Sequence, residues 1–403
     1  MRGSARKEYT FPGGFAIMGI YLKCMNLEKS TGKEVRMKAL TGKLMAGDRI
    51  AALVESGEIT ECDERLLPLF LCRTKNLEQW LAGRAIDSHR PNSRILKKML
   101  RLKPAEDAEV AMEVNGATIT DHYWFCPEGS SKAYKDIQFM YNYFDSAALR
   151  GDPDGFSREP SRTPELTNTG SYEKCWRLVD GKWWLYKAGT KQEYFSELFI
   201  CRLGMSLGFS MAWYEMEDGY IRTRDFTEGK YNFEAMDGIT GEEDDYNCCF
   251  TALYEISPEI AGEYLKILWL DTLCYNMDRH TKNFGVLRDR ENGEILSMAP
   301  NYDNNIALIS RGYVKDITRE TDGLIRFFRD FVTENKVAAK MYKEMLEAGE
   351  IPIAGAERVG KAVDETEAAL GQSFDEERKY LKEFIMNGQR ILQNIVMDTR
   401  VFQ

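Results

Sequence analysis

The feature that most limits how this chain can fold is an interruption. From about Tyr246 to the C-terminus the sequence reads as one helix after another, except for 276–309, which reads as loop, strand, loop. The helix before the interruption contains Leu268-Trp-Leu-Asp-Thr-Leu-Cys, apolar enough to be buried, so the break starts inside the protein. It carries Asp278 and, five residues on, Asn283. A hairpin turning at Asn292-Gly293 follows, and Ala299-Pro-Asn-Tyr-Asp303 comes after it.

The half before Tyr246 has a different texture. Asp180-Gly181 between β-formers predicts a hairpin over 173–187, ending at Lys187. A helix is expected over 192–203, stopped by Gly204, then strand-like runs at 211–216 and 220–226. Asn115-Gly116 marks a turn before strand-like 117–120 and 123–125. Further upstream, Asp48 and Gly57 read as the cap and stop of a helix over 47–57, and 16–22 reads as a strand. Two more helices fall within 74–101, broken at 89–93, with Asn92 or Ser93 capping the second. The stretch 151–166, rich in Pro, Gly, Ser and Arg, reads as a mobile loop.

At roughly 100–200 residues per domain, 403 residues allow two or three units. A β-rich half followed by a helical half with one loop inside it is an α+β, bilobal, protein-kinase-like pattern. The expected units are an N-terminal subdomain at 1–110 (1–17 reading as a leader), a β-rich lobe at 111–235 and a helical lobe at 236–403. Composition narrows the function. With 54 Lys+Arg against 64 Asp+Glu, the net charge of −10 argues against direct nucleic-acid binding. Nine scattered cysteines without a CxxC pair read as reduced thiols, and three histidines make a zinc site improbable. No apolar run approaches the ~18–20 residues of a membrane span. A cytoplasmic protein is expected.

Phosphoryl transfer to an alcohol needs a carboxylate to orient and deprotonate the hydroxyl, and oxygen ligands to hold magnesium against nucleotide phosphates. Asp278, Asn283 and Asp303 supply such groups in the order and spacing that kinases use. Lys187, at a strand end, stands where kinases put the lysine that reaches the phosphates.

At these residues the chain resembles the HipA-like serine/threonine kinases, in Asn276-Met-Asp-Arg-His-Thr-Lys-Asn-Phe284 and Ala299-Pro-Asn-Tyr-Asp303. The resemblance implies ATP and Mg²⁺ as cofactors, Asp278 as catalytic base, and Asn283 and Asp303 as metal ligands. It pairs Lys187 with Glu193, through an E-x11-G pattern with Gly204, leaving Glu197 as the alternative. His280 would support the catalytic loop. Gly170, Ser171 and Lys174 would lie in the nucleotide-covering loop, and Arg224, Asp225 and Phe226 would pass between the lobes beside the adenine. A protein substrate is favoured over a lipid or small molecule, because only Arg311 and Lys315 are basic just after Asp303. An antitoxin-like regulatory partner is implied, and so is self-phosphorylation at Ser157, Ser161, Thr163 or Thr167.

Overall fold

Residues 40–103 and 105–395 are described by the computed structural model, and the strand expected at 16–22 lies outside them. Turn chemistry sets the first layer. Strands β1 (Gly42–Ala46) and β2 (Arg49–Glu55) meet at Gly47-Asp48, where Gly47 has φ +61°. Strand β3 (Glu58–Cys62) follows a second turn, in which Ser56 and Gly57 have φ +53° and +85°. The helix expected over 47–57 is therefore a strand between two tight turns. Gly47 and Gly57 supply left-handed backbone, which ends a strand as readily as it stops a helix. Asp48 begins no helix of its own. Its carboxylate accepts a bond from the Tyr134 N–H at 2.7 Å.

Strand β4 (Tyr123–Pro127) pairs antiparallel with the free edge of β1, giving the order β3-β2-β1-β4. Helices α1 (Leu69–Thr74), α2 (Leu77–Arg84), α3 (Ser93–Met99) and α4 (Asp107–Met112) share its apolar core, which runs from Leu44 to Leu166. The expected boundary at residue 110 cuts through this unit, because β4 is one of its strands. Residues 117–120 form no strand. The stretch expected to be a mobile loop holds two 3₁₀ turns, Pro153–Ser157 and Pro164–Thr167, after helix α5 (Asp145–Arg150). Its end is packed inside: Thr163 and Glu165 are wholly buried and Leu166 nearly so. Composition shows the lack of a regular period there but not this anchoring.

A second sheet, β5-β6-β8-β7, is built from Lys174–Val179, Lys182–Lys187, Tyr220–Arg224 and Tyr214–Glu217. Asp180 and Gly181, at φ +50° and +72°, close its first hairpin as expected. Helix α6 (Lys191–Ser206) packs below it and runs past Gly204. Gly204 is a packing glycine, since a Cβ there would press on the Met211 side chain.

The chain then passes through 225–230 into strand β9 (Tyr231–Ala235), which pairs with β10 (Gly285–Asp289) and not with the second sheet. With β11 (Ile295–Met298) these make a third, small sheet on the helical lobe. That lobe contains α7 (Tyr246–Ile256), α8 (Pro258–Cys274), α9 (Gly323–Glu334), α10 (Lys336–Glu347), α11 (Ala356–Leu370) and α12 (Asp375–Ile395). Helix α8 is its axis, with Leu265, Leu268, Trp269 and Leu270 fully buried. Each such side chain contributes ~1.5–3 kcal/mol of hydrophobic stabilisation. Phe328 and Phe331 pack into the same core while Phe327 faces solvent. Among the described residues no helix is long and apolar enough to cross a membrane.

Candidate active site

The site grows out of the C-terminal end of α8, where Tyr275 adopts φ +53° and ends the helix. Asp271, on the last turns of α8, is 2% exposed in an apolar helix and so must be paired. Its partner is Arg279. The guanidinium donates to both Asp271 carboxylate oxygens at 2.8 and 3.0 Å. It also reaches the Asn283 and Tyr302 carbonyls at 2.5 and 2.9 Å, and the Asn301 and Asn304 side-chain oxygens at 2.9 and 2.8 Å. One buried fork thus joins α8, the 278–283 loop and the 301–304 segment. Asn276 adds to the frame, donating to Asp271 at 2.8 Å and accepting from the Asp278 N–H at 3.1 Å.

Asp278 is half-buried, and that desolvation raises its carboxyl above the ordinary range; Asp303 adds to the rise, and His280 opposes it. The Asn283 amide nitrogen donates to the Asp278 carbonyl at 2.9 Å, and no hydrogen bond to the Asn283 side-chain oxygen occurs among the described residues. His280 is exposed, and its Nδ1 accepts the Lys282 N–H at 3.2 Å, which holds the loop to itself.

Asp303 has φ +61°, in the left-handed region that Asp tolerates better than most residues. It meets Lys187 from the other lobe at 2.7 Å. The Lys187 ammonium also lies 3.3 Å from the Tyr214 hydroxyl and 3.6 Å from Glu197. Burial alone would push the Lys187 pKa down, but Asp303, Tyr214 and Glu197 outweigh it and the ammonium is held well above its usual range. Asp303 is correspondingly low: burial would raise it, yet Lys187 and Lys174 bring it to about 2.

The expected partner Glu193 is not at this lysine. It closes a capping box with Thr190 at the start of α6, accepting the Thr190 N–H at 2.7 Å, and accepts the Tyr172 hydroxyl at 3.1 Å. Glu197, one turn further along, is 1% exposed, faces Lys187, and accepts the Asn304 N–H at 2.8 Å. The capping requirement of the helix takes Glu193 away from the cleft.

Strand register completes the upper wall. Lys174 pairs with Lys187, Lys187 with Ile221 and Leu185 with Thr223, so all five share the face turned toward Asp303. Thr223 is 7% exposed and its hydroxyl has no hydrogen-bond partner among the described residues. Gly170, at φ +100°, is so close to the Lys174 ammonium that a Cβ would collide with it. Ser171, next to it, is exposed.

The interlobe residues have local partners. Arg224 pairs with Glu228 at 2.6 Å, the Asp225 N–H donates to the Trp183 carbonyl at 2.9 Å, and the Asp225 carboxylate accepts from Thr227. Burial lifts that carboxyl to about 6. Phe226 packs on Phe233 and Tyr302 at 5.5 and 5.7 Å. The Asp225 N–H is therefore withdrawn from any base.

Of the four hydroxyls considered for self-modification, Thr163 and Thr167 are buried and bonded, to Asn142 at 2.8 Å and the Ala117 carbonyl at 2.5 Å. Ser161 has a buried hydroxyl oxygen. Ser157 is exposed.

Asp271, Arg279, Glu197 and Tyr214 belong to this constellation and are not among the residues singled out from sequence, apart from Glu197 as an alternative. One signal was present: a charge inside Leu268-Trp-Leu-Asp-Thr-Leu-Cys demands a buried partner. No group of three or more His, Cys, Asp or Glu able to hold a metal occurs among the described residues. Asn283 and Asp303 fit Mg²⁺ in a different sense: both are hard oxygen donors, and the Asn283 oxygen is free, as sharing a cation with nucleotide phosphates requires.

No protein-family model and no curated protein matches the chain. Solved structures do. The toxin–antitoxin system HipA, HipB and its operator DNA complex from Shewanella oneidensis MR-1 superposes with a TM-score of 0.56 at 12% identity, covering 87% of this chain and 96% of that one. The proinflammatory kinase CtkA of Helicobacter pylori matches with a TM-score of 0.43 at 17% identity, covering 57% of this chain and 94% of that one. The chain has the bilobal, kinase-like fold of HipA.

Proposed function

We propose that this protein is a kinase that transfers a phosphoryl group from ATP to a serine or threonine hydroxyl of another protein. One observation carries the reading: Lys187 from the upper lobe and Asp303 from the lower lobe meet at 2.7 Å, beside Asn283 and Asp278 on a single buried frame. Lys187 and Lys174 would bind the nucleotide phosphates, and Glu197 keeps Lys187 aimed into the cleft. Asn283 and Asp303 would hold Mg²⁺, which offsets phosphate charge when bound. Asp278 would accept the proton of the acceptor hydroxyl. Its raised pKa moves it toward working pH, where a general base transfers protons efficiently. His280 is a loop support and touches no reacting atom.

The HipA structure holds HipB and operator DNA. For this chain the same fold supports a regulatory protein partner, with no direct DNA contact in a chain of net charge −10. The cytoplasm, where ATP is plentiful and the thiols stay reduced, is the compartment that suits it.

The test is nucleotide depletion with Mg²⁺, followed by intact mass of acceptor and enzyme. Asp278→Asn is expected to lower phosphoryl transfer by ~10²–10⁴-fold while Mg-ATP affinity changes little, because Asp278 faces the acceptor. Undiminished transfer in this variant removes Asp278 from the role, and no Mg-ATP turnover or binding in the wild type refutes the kinase reading.

A further inference from the structure

The nucleotide-covering loop is held by a residue from outside the two lobes. Arg90 lies between α2 and α3 of the N-terminal subdomain and is 1% exposed. Its guanidinium donates to the Asn168 carbonyl at 3.2 Å and to the Lys174 carbonyl, the two ends of the segment that contains Gly170 and Ser171. It donates also to the Ala148 carbonyl at 3.4 Å. Glu165, wholly buried 3.6 Å away, is its counter-charge. The Glu165 carboxylate in turn accepts from the Trp176 N–H at 2.6 Å and from the Asn142 and Asn168 amides at 2.8 and 2.9 Å. Residues 169–171, between the pinned ends, are exposed.

The subdomain that carries Arg90 is anchored on the opposite lobe as well. Glu234 of β9 accepts the Tyr123 hydroxyl at 2.9 Å and the Leu69 N–H at 2.5 Å, and is ion-paired with buried Arg288 of β10. Arg288 donates to the Leu67 and Arg65 carbonyls at 3.0 Å each. The Phe233 N–H donates to the Thr120 carbonyl at 2.9 Å. On the upper side, Arg90 itself reaches the Lys174 carbonyl at the start of β5, and Trp183 of β6 packs against the subdomain core. The subdomain thus touches both lobes and runs alongside the 225–230 crossing.

We propose that the N-terminal subdomain is a strut across the two lobes, and that Arg90 is its positioning residue, fixing both ends of the nucleotide-covering loop over the phosphates. This rests on the kinase reading above. Arg90 touches no reacting atom. It acts through the loop, whose three exposed residues would otherwise be ordered only at the moment of binding, at an entropic cost that falls on nucleotide affinity.

The test measures Mg-ATP affinity by calorimetry, and KM separately from kcat, in the full chain carrying Arg90→Met. Because this variant leaves Glu165 buried without its cation, the double variant Arg90→Met/Glu165→Gln is measured beside it; it removes both charges and keeps the shape. The expected result in each folded variant is a Kd and a KM for Mg-ATP raised roughly 10- to 100-fold, with kcat at saturating nucleotide within about threefold of wild type. Amide hydrogen exchange over 168–174 should also quicken without nucleotide. A merely structural Arg90 would lower the melting temperature or the active fraction, so kcat would fall with KM unchanged. That pattern, or unaltered Mg-ATP affinity in the double variant, overturns the strut while leaving the kinase reading intact. A wild type that binds no Mg-ATP overturns both.

Discussion

Lys174 begins strand β5 and ends the segment that carries Gly170 and Ser171. Its ammonium lies over Gly170, with Lys187, Asp303, Arg90 and Glu165 as the charged neighbours. Burial lowers its pKa to about 8, Lys187 and Arg90 add to the lowering, and Asp303 and Glu165 oppose it. The sign follows directly: the cation that would meet the phosphates is present below about 8 and is lost as pH rises through it. Mg-ATP affinity should therefore fall ~10- to 100-fold on the alkaline side, the scale of one charged hydrogen bond. In Lys174→Arg, whose guanidinium keeps its proton, the affinity should be flat over the same range. Calorimetric titrations across that range check it, and equal slopes in the two proteins would take Lys174 out of phosphate binding. The candidate base and metal ligands were legible as a spacing, Asp278 to Asn283 and on to Asp303. Arg279 was not, because its six polar contacts reach parts of the chain that no local pattern connects.

Helix α6 shows how an element can redirect a residue. Glu193 and Glu197 stand one turn apart, and either could be expected to meet a lysine on the neighbouring strand. The N-terminus of the helix claims Glu193 for its capping box, which leaves Glu197 for Lys187. Glu197→Gln should lower kcat/KM by ~10-fold or more, since Lys187 would lose one of its two carboxylate partners. Glu193→Gln keeps an acceptor at the cap and should cost about 0.5–2 kcal/mol of stability at most, with kcat/KM near wild type. Steady-state kinetics and urea unfolding of both variants check this, and the opposite ranking in kcat/KM would return the role to Glu193. A glycine carries the same ambiguity at element scale. Gly204 has the look of a stop but lies inside the helix for contact with Met211, whereas Gly47 and Gly57 do sit in turns, though of a hairpin. Local sequence marks where the backbone is permissive and leaves the choice between strand and helix to packing.

In the whole molecule, the two lobes were legible because each is dominated by contacts local in sequence: a hairpin closed by Asp180-Gly181, then a run of amphipathic and buried helices. The extent of the N-terminal subdomain was not, since β4 joins β1 from far along the chain and 163–168 is buried by partners that are themselves distant. The same non-local contacts make a prediction about unfolding. Arg288 and Glu234 are 2% and 8% exposed in their side chains, and both bond to the N-terminal subdomain from the helical lobe. Arg288→Met leaves Glu234 buried without its cation, and such a break costs about 3–5 kcal/mol. Arg288→Met/Glu234→Gln removes both charges and should recover part of that loss. If the subdomain and the helical lobe are one cooperative unit, as these bonds require, both variants should unfold in a single transition at lower urea, with tryptophan fluorescence (Trp80 and Trp124 in the subdomain, Trp269 in α8) coinciding with far-ultraviolet circular dichroism. Separate transitions in the wild type, with the subdomain melting first and the helical lobe unmoved, would show that the Glu234–Arg288 contact does not couple them and that the subdomain is an appendage.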